Sequence, residues 1–224
     1  MKRLGVDKYA VSSTTVCEKN FIKALQEIQA LVMIDGDRVV PIMWLSPEFF
    51  YNTILINQYL DSGIDWKCIK IHPDWQPGIW TDVVNQKKLL YLSKILEVPI
   101  LIHTGGEEYS ESRIWEKVIR DNPEQNFILA HCRPFDQALA IIEKYENAYG
   151  DLAFADSNDF KKLHGSIACH RILWGSDMPI VKHYIAADMN EYYKSELTKL
   201  QKVVSMTEYD MITVENFNKL FYLE

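Results

Sequence analysis

Short apolar runs alternate with helix-length stretches along the whole chain, and this alternation limits the fold more than any other feature. VDKYAVSS (6–13), RVVPIMWL (38–45), KCIKIHP (67–73), VPILIHT (98–104), NFILAHC (126–132), GDLAFAD (150–156) and RILWGSD (171–177) read as strands. Helices are expected over 17–32, 46–63, 82–96, 111–120, 134–145, 158–168, 188–204 and 213–221. In the first of these, Phe21, Leu25, Ile28 and Leu31 share one face. In the second, Ser46 is the expected N-cap and Pro47 suits the first helical position. Glu48 places a negative charge in the first turn, and Gly63 stops the helix.

Strict strand–helix alternation implies parallel strands joined by right-handed crossovers. The strands are apolar along their length, as a sheet covered on both faces requires. The chain contains no GxGxxG and no P-loop, so a nucleotide fold has no positive support. A barrel is therefore favoured over an open doubly wound sheet. The 224 residues suit a single domain over 1–224, slightly short of the ~250 of a complete eight-unit barrel. Hydrophobic residues make up 48% and charged residues 25%, values ordinary for a globular protein. The net charge of -7 argues against nucleic acid and anionic membranes as partners, because phosphates would repel the chain.

Cys17, Cys68, Cys132 and Cys169 form no CxxC pair, so neither a disulfide framework nor a zinc ribbon is expected and a reducing cytoplasm is the natural compartment. The opening MKRLGVDKYAV lacks a signal core, and no apolar run approaches the ~18 residues of a membrane span.

The polar residues fall at strand ends. Lys70 and His72 end IKIHP, His103 ends ILIHT, His131 ends FILAHC and Asp177 ends ILWGSD; Asp151 and Asp156 flank GDLAFAD. In a parallel barrel all strand C-termini open on the face that carries the active site. His103, His131 and Asp177 are therefore expected to converge, and two imidazoles with a carboxylate suit a borderline metal such as zinc. Each residue also has a plainer reading. A lone histidine at a strand end is usually a satisfied core or surface group. Asp177 can cap a turn, Lys70 can snorkel to solvent, and His72-Pro73 can simply shape a loop. Their shared position at successive strand ends outweighs these readings, and Lys70 and His72 are the expected substrate contacts among them. His164 and His170 fall off the pattern and read as surface residues; His183 is left open. In the loop HPDWQPGIW, Trp75 and Trp80 either wall the site over an apolar or ring-shaped substrate or pack beneath the loop. Arg133 either pairs with a substrate carboxylate or caps a helix or joins a surface ion pair.

The ordered set of motifs resembles the amidohydrolase superfamily, nearest to the amidohydrolase-related group that includes aminocarboxymuconate semialdehyde decarboxylase and various lactonases. LGVDKYAVSS is similar to the second strand of that barrel, CIKIHP to the fourth, ILIHTG to the fifth, FILAHC to the sixth and ILWGSDMP to the eighth. ENFNKLF is similar to its closing helix, with Asn216, Leu220 and Phe221. The resemblance implies a TIM-type (β/α)8 barrel holding a divalent metal, zinc first. It implies that His103 binds the metal and that Asp177 sits at the metal and accepts a proton from water. It implies that His131 binds a second metal or orients the attacking water, and that Lys70 contacts substrate.

The family's first strand ends in a His-x-His pair, and no such pair occurs here. The reading is therefore an incomplete barrel without its first strand, with weak metal occupancy and with Lys2, Arg3 and Gly5 closing a helix. The expected function is metal-dependent hydrolysis of a small molecule at a carbon centre: an amide, a lactone or another ester. The alternatives are a catalytically inactive barrel remnant that binds or scaffolds, a non-oxidative decarboxylase of the same family, and a shortened reading frame. Open strand edges near Val6, Tyr9, Ile172 and Trp174 further imply closure by bringing those strands together, a cover built from the helices over 188–221, or a homodimer.

Overall fold

The computed structural model describes residues 5–75, 78–105, 107–183 and 188–222; Lys2, Arg3 and the side chain of His183 lie outside the described residues. The chain forms two compact units, Met1–His103 and Thr104–Glu224. In the first, β1 (Tyr9–Val11), β2 (Val39–Trp44), β3 (Cys68–Ile71) and β4 (Ile100–His103) pair in chain order, all parallel. The register sets Tyr9 beside Val39, Ile42 beside Cys68 and Ile69 beside Ile100. The connections carry α1 (Phe21–Asp35), α2 (Pro47–Tyr51), α3 (Thr53–Leu60) and α4 (Val83–Leu96). In the second unit β5 (Phe127–Ala130), β6 (Ala148–Asp151) and β7 (Ile172–Leu173) are again parallel neighbours in chain order. With them go α5 (Ser112–Asp121), α6 (Phe135–Lys144), α7 (Ser157–Leu163) and α8 (Met189–Gln201). A closing run then comprises α9 (Met206–Asp210), a π-helical turn (Met211–Glu215) and α10 (Asn216–Leu220). Seven parallel strands alternating with helices are the TIM-barrel-like fold that the hydrophobic pattern favours.

Local chemistry explains where elements differ from the sequence expectation. The helix expected from residue 17 begins at Phe21. Ser13 caps a separate 3-10 turn over Thr14–Glu18, Lys19 turns left-handed at φ 58°, and Asn20 caps α1 by accepting from the Lys23 amide. The helix expected over 46–63 breaks at Asn52, whose extended backbone ends α2 and whose side chain accepts from the Leu55 amide to start α3. The strand expected over 150–156 stops at Asp151, because the Asp151 side chain draws the Ala153 amide into a turn and Phe154 takes φ 66°. No helix of the described residues is long and apolar enough to cross a membrane.

All six residues of β2 are buried, so this strand is covered on both faces. Next to it Phe49 stacks on Phe21 at 5.4 Å and meets Tyr59 at 4.4 Å, and Tyr59 stacks on Trp66 at 5.5 Å. The Tyr59 hydroxyl donates to the Phe21 carbonyl at 2.6 Å, and the Trp66 indole donates to the Tyr59 carbonyl at 2.9 Å. Both aromatic polar groups are thereby satisfied inside the core. In the second unit, buried Asn147 donates to the carbonyls of Ile119, Asn122 and Gln125 at 2.9–3.0 Å, closing the C-terminal end of α5.

The edge of β7 is covered from within the same unit. Leu173 accepts from the Leu152 amide beside β6, so Ile172 O and Trp174 N face the other side by strand alternation. There the Trp174 amide donates to Ile212 O at 2.9 Å, and Asn216 Nδ2 donates to Ile172 O at 2.7 Å and to Cys169 O at 2.6 Å. Ile172 is fully buried as a result. Of the closures open in the sequence, the terminal helices supply the one at this edge.

Two stability outcomes follow from these contacts. Asn147→Ala removes three side-chain hydrogen bonds that tie the chain leaving α5 and is expected to destabilise it by about 1–3 kcal/mol in urea titrations. Glu208 accepts from the Gly165 and Ser205 amides and pairs with His164 at 2.9 Å. Burial alone would raise its carboxyl, but these bonds outweigh burial and hold it down at about 2. A depressed carboxylate stabilises the fold above its unfolded value of about 4.3 and loses that contribution as pH falls toward about 2. Glu208→Gln is therefore expected to cost about 1 kcal/mol at neutral pH, with the gap from wild type shrinking below about pH 4. A gap independent of pH would show that the charge contributes nothing.

Candidate functional site

The first unit brings a histidine–carboxylate cluster to the C-terminal ends of β3 and β4. His103 is the last residue of β4. His72 directly follows β3, and a 3-10 turn over Pro73–Trp75 folds the chain back beneath it, the Trp75 amide donating to His72 O at 3.3 Å. That turn delivers Asp74, whose Oδ2 lies 3.5 Å from His103 Nε2. The His72 and His103 rings stack with centroids 3.7 Å apart and planes 12° from parallel. One ligand atom from each of His72, Asp74 and His103 lies within 4.8 Å of the other two. The His103 and Asp74 side chains are 17% and 19% exposed, sheltered yet open to a small molecule.

Aromatic rings continue the stack. Trp75 lies 4.6 Å from His72 and 5.0 Å from Trp44, with planes 16° and 22° from parallel. The Lys70 ammonium sits 4.1 Å from the centroid of the Trp44 ring, a cation–π contact at the end of β3. Lys70, His72, Trp75 and His103, all singled out in the sequence, are thus brought together. Trp80 is not part of this wall: it is 1% exposed and packs on Phe50 at 5.2 Å, so it serves the core. Asp74 was missed. It belongs to no strand, and only the 3-10 turn carries it to His103; the signal was an acidic residue two places after His72.

The second unit builds a different group at the ends of β5 and β6. His131 follows β5 with φ 70° and Cys132 with φ 47°, so the chain leaves the strand through two left-handed residues. The His131 amide and the Ala153 amide both donate to Asp151 Oδ1, at 3.1 and 2.9 Å. His131 Nδ1 lies 3.6 Å from the same oxygen. Burial would raise the Asp151 carboxyl, but the facing His131 ring and the Ala153 and His131 amides outweigh it and hold the carboxyl below its usual range. The Phe154 ring meets His131 edge-on at 5.5 Å and carries the Arg133 guanidinium on its face at 4.8 Å. Arg133 is fixed through its backbone. Its amide donates to Thr104 Oγ1 at 2.7 Å, and its carbonyl accepts from Ser112 Oγ at 2.9 Å. Asp177 follows β7 at φ 46°, half-buried, with its carbonyl accepting from the Val181 amide at 3.1 Å. Asp156 has the plainer role of a cap: it closes a capping box on α7 with Asp159.

Residues 28–216 match the sequence model of the family described as Amidohydrolase. No curated protein matches the sequence. Among solved structures the chain is similar to an uncharacterised TIM-barrel protein of Bordetella bronchiseptica, at 17% identity over 99% of this chain and 80% of that one, with a TM-score of 0.75. It is also similar to 2,6-dihydroxybenzoate decarboxylase from Rhizobium, at 13% identity over 99% and 86% of the two chains, TM-score 0.72. A third likeness is to an amidohydrolase of Burkholderia multivorans with bound zinc, at 13% identity over 91% and 80%, TM-score 0.63. These likenesses carry the TIM-barrel fold, and the match over residues 28–216 carries the kinship: the chain belongs to the amidohydrolase family.

Proposed function

We propose that this chain is a metal-dependent hydrolase acting on a carbon centre, an amide, a lactone or another ester, with a divalent ion held by His72, Asp74 and His103. The observation that carries the reading is the mutual approach of those three side chains within 4.8 Å. Ligands on one zinc, each bonded near 2.1 Å, lie no more than about 4 Å apart, so a shift of about 1 Å closes the set. Two imidazoles and one carboxylate are a donor set that zinc accepts while keeping a position open for substrate. The polar environment fits as well, since Asp74 Oδ1 is buried and makes no hydrogen bond among the described residues. The near-parallel imidazoles must tilt toward each other for both lone pairs to meet at one point.

A divalent ion supplies Lewis-acid activation of a water and of a carbonyl oxygen. The protein's own residues supply the rest. Trp44 and Trp75 form an apolar, flat wall beside the histidines. Lys70 brings a positive charge to the same strand end, suited to a carboxylate on the substrate. Asp177 is the proton acceptor that the family resemblance assigns.

Zinc titrated into the chelator-treated chain is expected to bind at one equivalent. His72→Ala and Asp74→Asn should each weaken binding by at least about tenfold, with circular dichroism unchanged. Affinity unaltered in both variants would remove these residues from the site. Asp177→Asn is expected to abolish hydrolysis of lactone and amide probes while leaving the fold intact. Carbon dioxide release without hydrolysis would replace this reaction with decarboxylation.

A further inference from the structure

The contacts of Asp151 give it a task beyond holding a turn. An ionised carboxylate only accepts hydrogen bonds. Its Oδ1 already takes the His131 and Ala153 amides, and the His131 ring turns Nδ1 toward that same oxygen at 3.6 Å. This is slightly long for a hydrogen bond, and a few tenths of an ångström close it. A ring nitrogen facing an ionised oxygen at that range is favoured with its proton on, because a lone pair there would be repelled. We propose that Asp151 is a positioning residue that keeps the proton of neutral His131 on Nδ1, so that Nε2 carries the lone pair for accepting a proton from water or substrate.

Three features hold the pair in register. The carboxylate is pinned by backbone amides from both the β5 exit and its own turn. It is also pressed from β7: a Cβ on Gly175 would stand 2.7 Å from Asp151 Oδ1 and 2.8 Å from its carboxyl carbon, so the β7 exit approaches as closely as a residue without a side chain permits. The imidazole is 5% exposed and abuts the edge-on Phe154 ring. His131 and Phe154 both hold left-handed backbone, at φ 70° and 66°, a conformation that persists in such residues only where the surroundings enforce it. The His131 and Ala153 amides favour the ionised carboxylate, so the acid is charged where the ring needs an acceptor.

The use of Nε2 in catalysis rests on the hydrolase reading, whereas the tautomer itself does not. The test is nitrogen-15 NMR of the histidine rings in the full chain. The Nδ1–H tautomer is expected at His131 in the wild type. Asp151→Asn keeps a neutral oxygen for the two amides and the ring and should hold the Nδ1–H form, whereas Asp151→Ala removes the acceptor, so that folded variant should shift toward the Nε2–H form. It should also lose about 10- to 100-fold in kcat with KM nearly unchanged. Gly175→Ala, which keeps the carboxylate but must displace it, should shift the tautomer in the same direction. An Nε2–H ring in the wild type overturns the proposal outright, as does an Nδ1–H ring unmoved in folded Asp151→Ala. If zinc binding fails while His131 shows Nδ1–H, the metal reading falls and this one stands. If zinc binds while the wild-type ring is Nε2–H, the reverse holds.

Discussion

Parallel pairing is the constraint on which everything else in this chain depends. Parallel neighbours cannot be joined by a hairpin, so each strand must be followed by a crossover that returns the chain to the sheet's other end. Within each unit every strand therefore finishes at the same edge, and residues far apart in sequence become neighbours there. In the first unit β3 and β4 finish side by side, which is why His72 and His103 stack although 31 positions separate them. In the second, β5 and β6 do the same for His131 and Asp151. The apolar run inside each strand supplies the burial that locks this register, because a slip of one residue would turn every side chain to the opposite face.

The chemistry begins where the ladders stop. Residues leaving the strands take conformations that regular structure would not allow: a 3-10 turn after His72, and left-handed backbone at His131, Cys132, Phe154 and Asp177. These turns aim side chains that a strand would direct to one sheet face or the other. Asp74 reaches His103 only through its turn, and Asp151 meets His131 because its own strand ends on a side-chain bond to Ala153. Both clusters join imidazole to carboxylate, but they differ in kind. The first is half-open beside aromatic rings and suits an ion. The second is enclosed and tied to backbone amides, and suits orientation of one ring.

Much of this was legible in the sequence. The order of strands and helices follows from apolar periodicity, and the placing of Lys70, His72, His103 and His131 at strand ends follows from that order, whereas the strand expected over 171–177 stops at Leu173 and leaves Asp177 four residues beyond it. What the sequence hid were local competitions. Asn52 has helix-compatible neighbours, yet its side chain prefers to cap, and one expected helix became two. Trp80 lies in the same short loop as Trp75, and only packing on Phe50 decides that one faces the core and the other the cluster. Asp151 was visible as a residue beside a strand, but its bond to the His131 backbone spans 20 positions and has no local signature. The family kinship was legible in the motifs, while Asp74 stands outside all of them.

The claim that the function turns on most is that a divalent ion sits among His72, Asp74 and His103. Crystals of the zinc-loaded chain, measured just above and below the zinc absorption edge, test it most directly. The account predicts one strong anomalous peak about 2.0–2.2 Å from an imidazole nitrogen of His72, an imidazole nitrogen of His103 and a carboxylate oxygen of Asp74. A zinc peak that touches neither His72 nor Asp74, or no peak at all in loaded crystals, would contradict it.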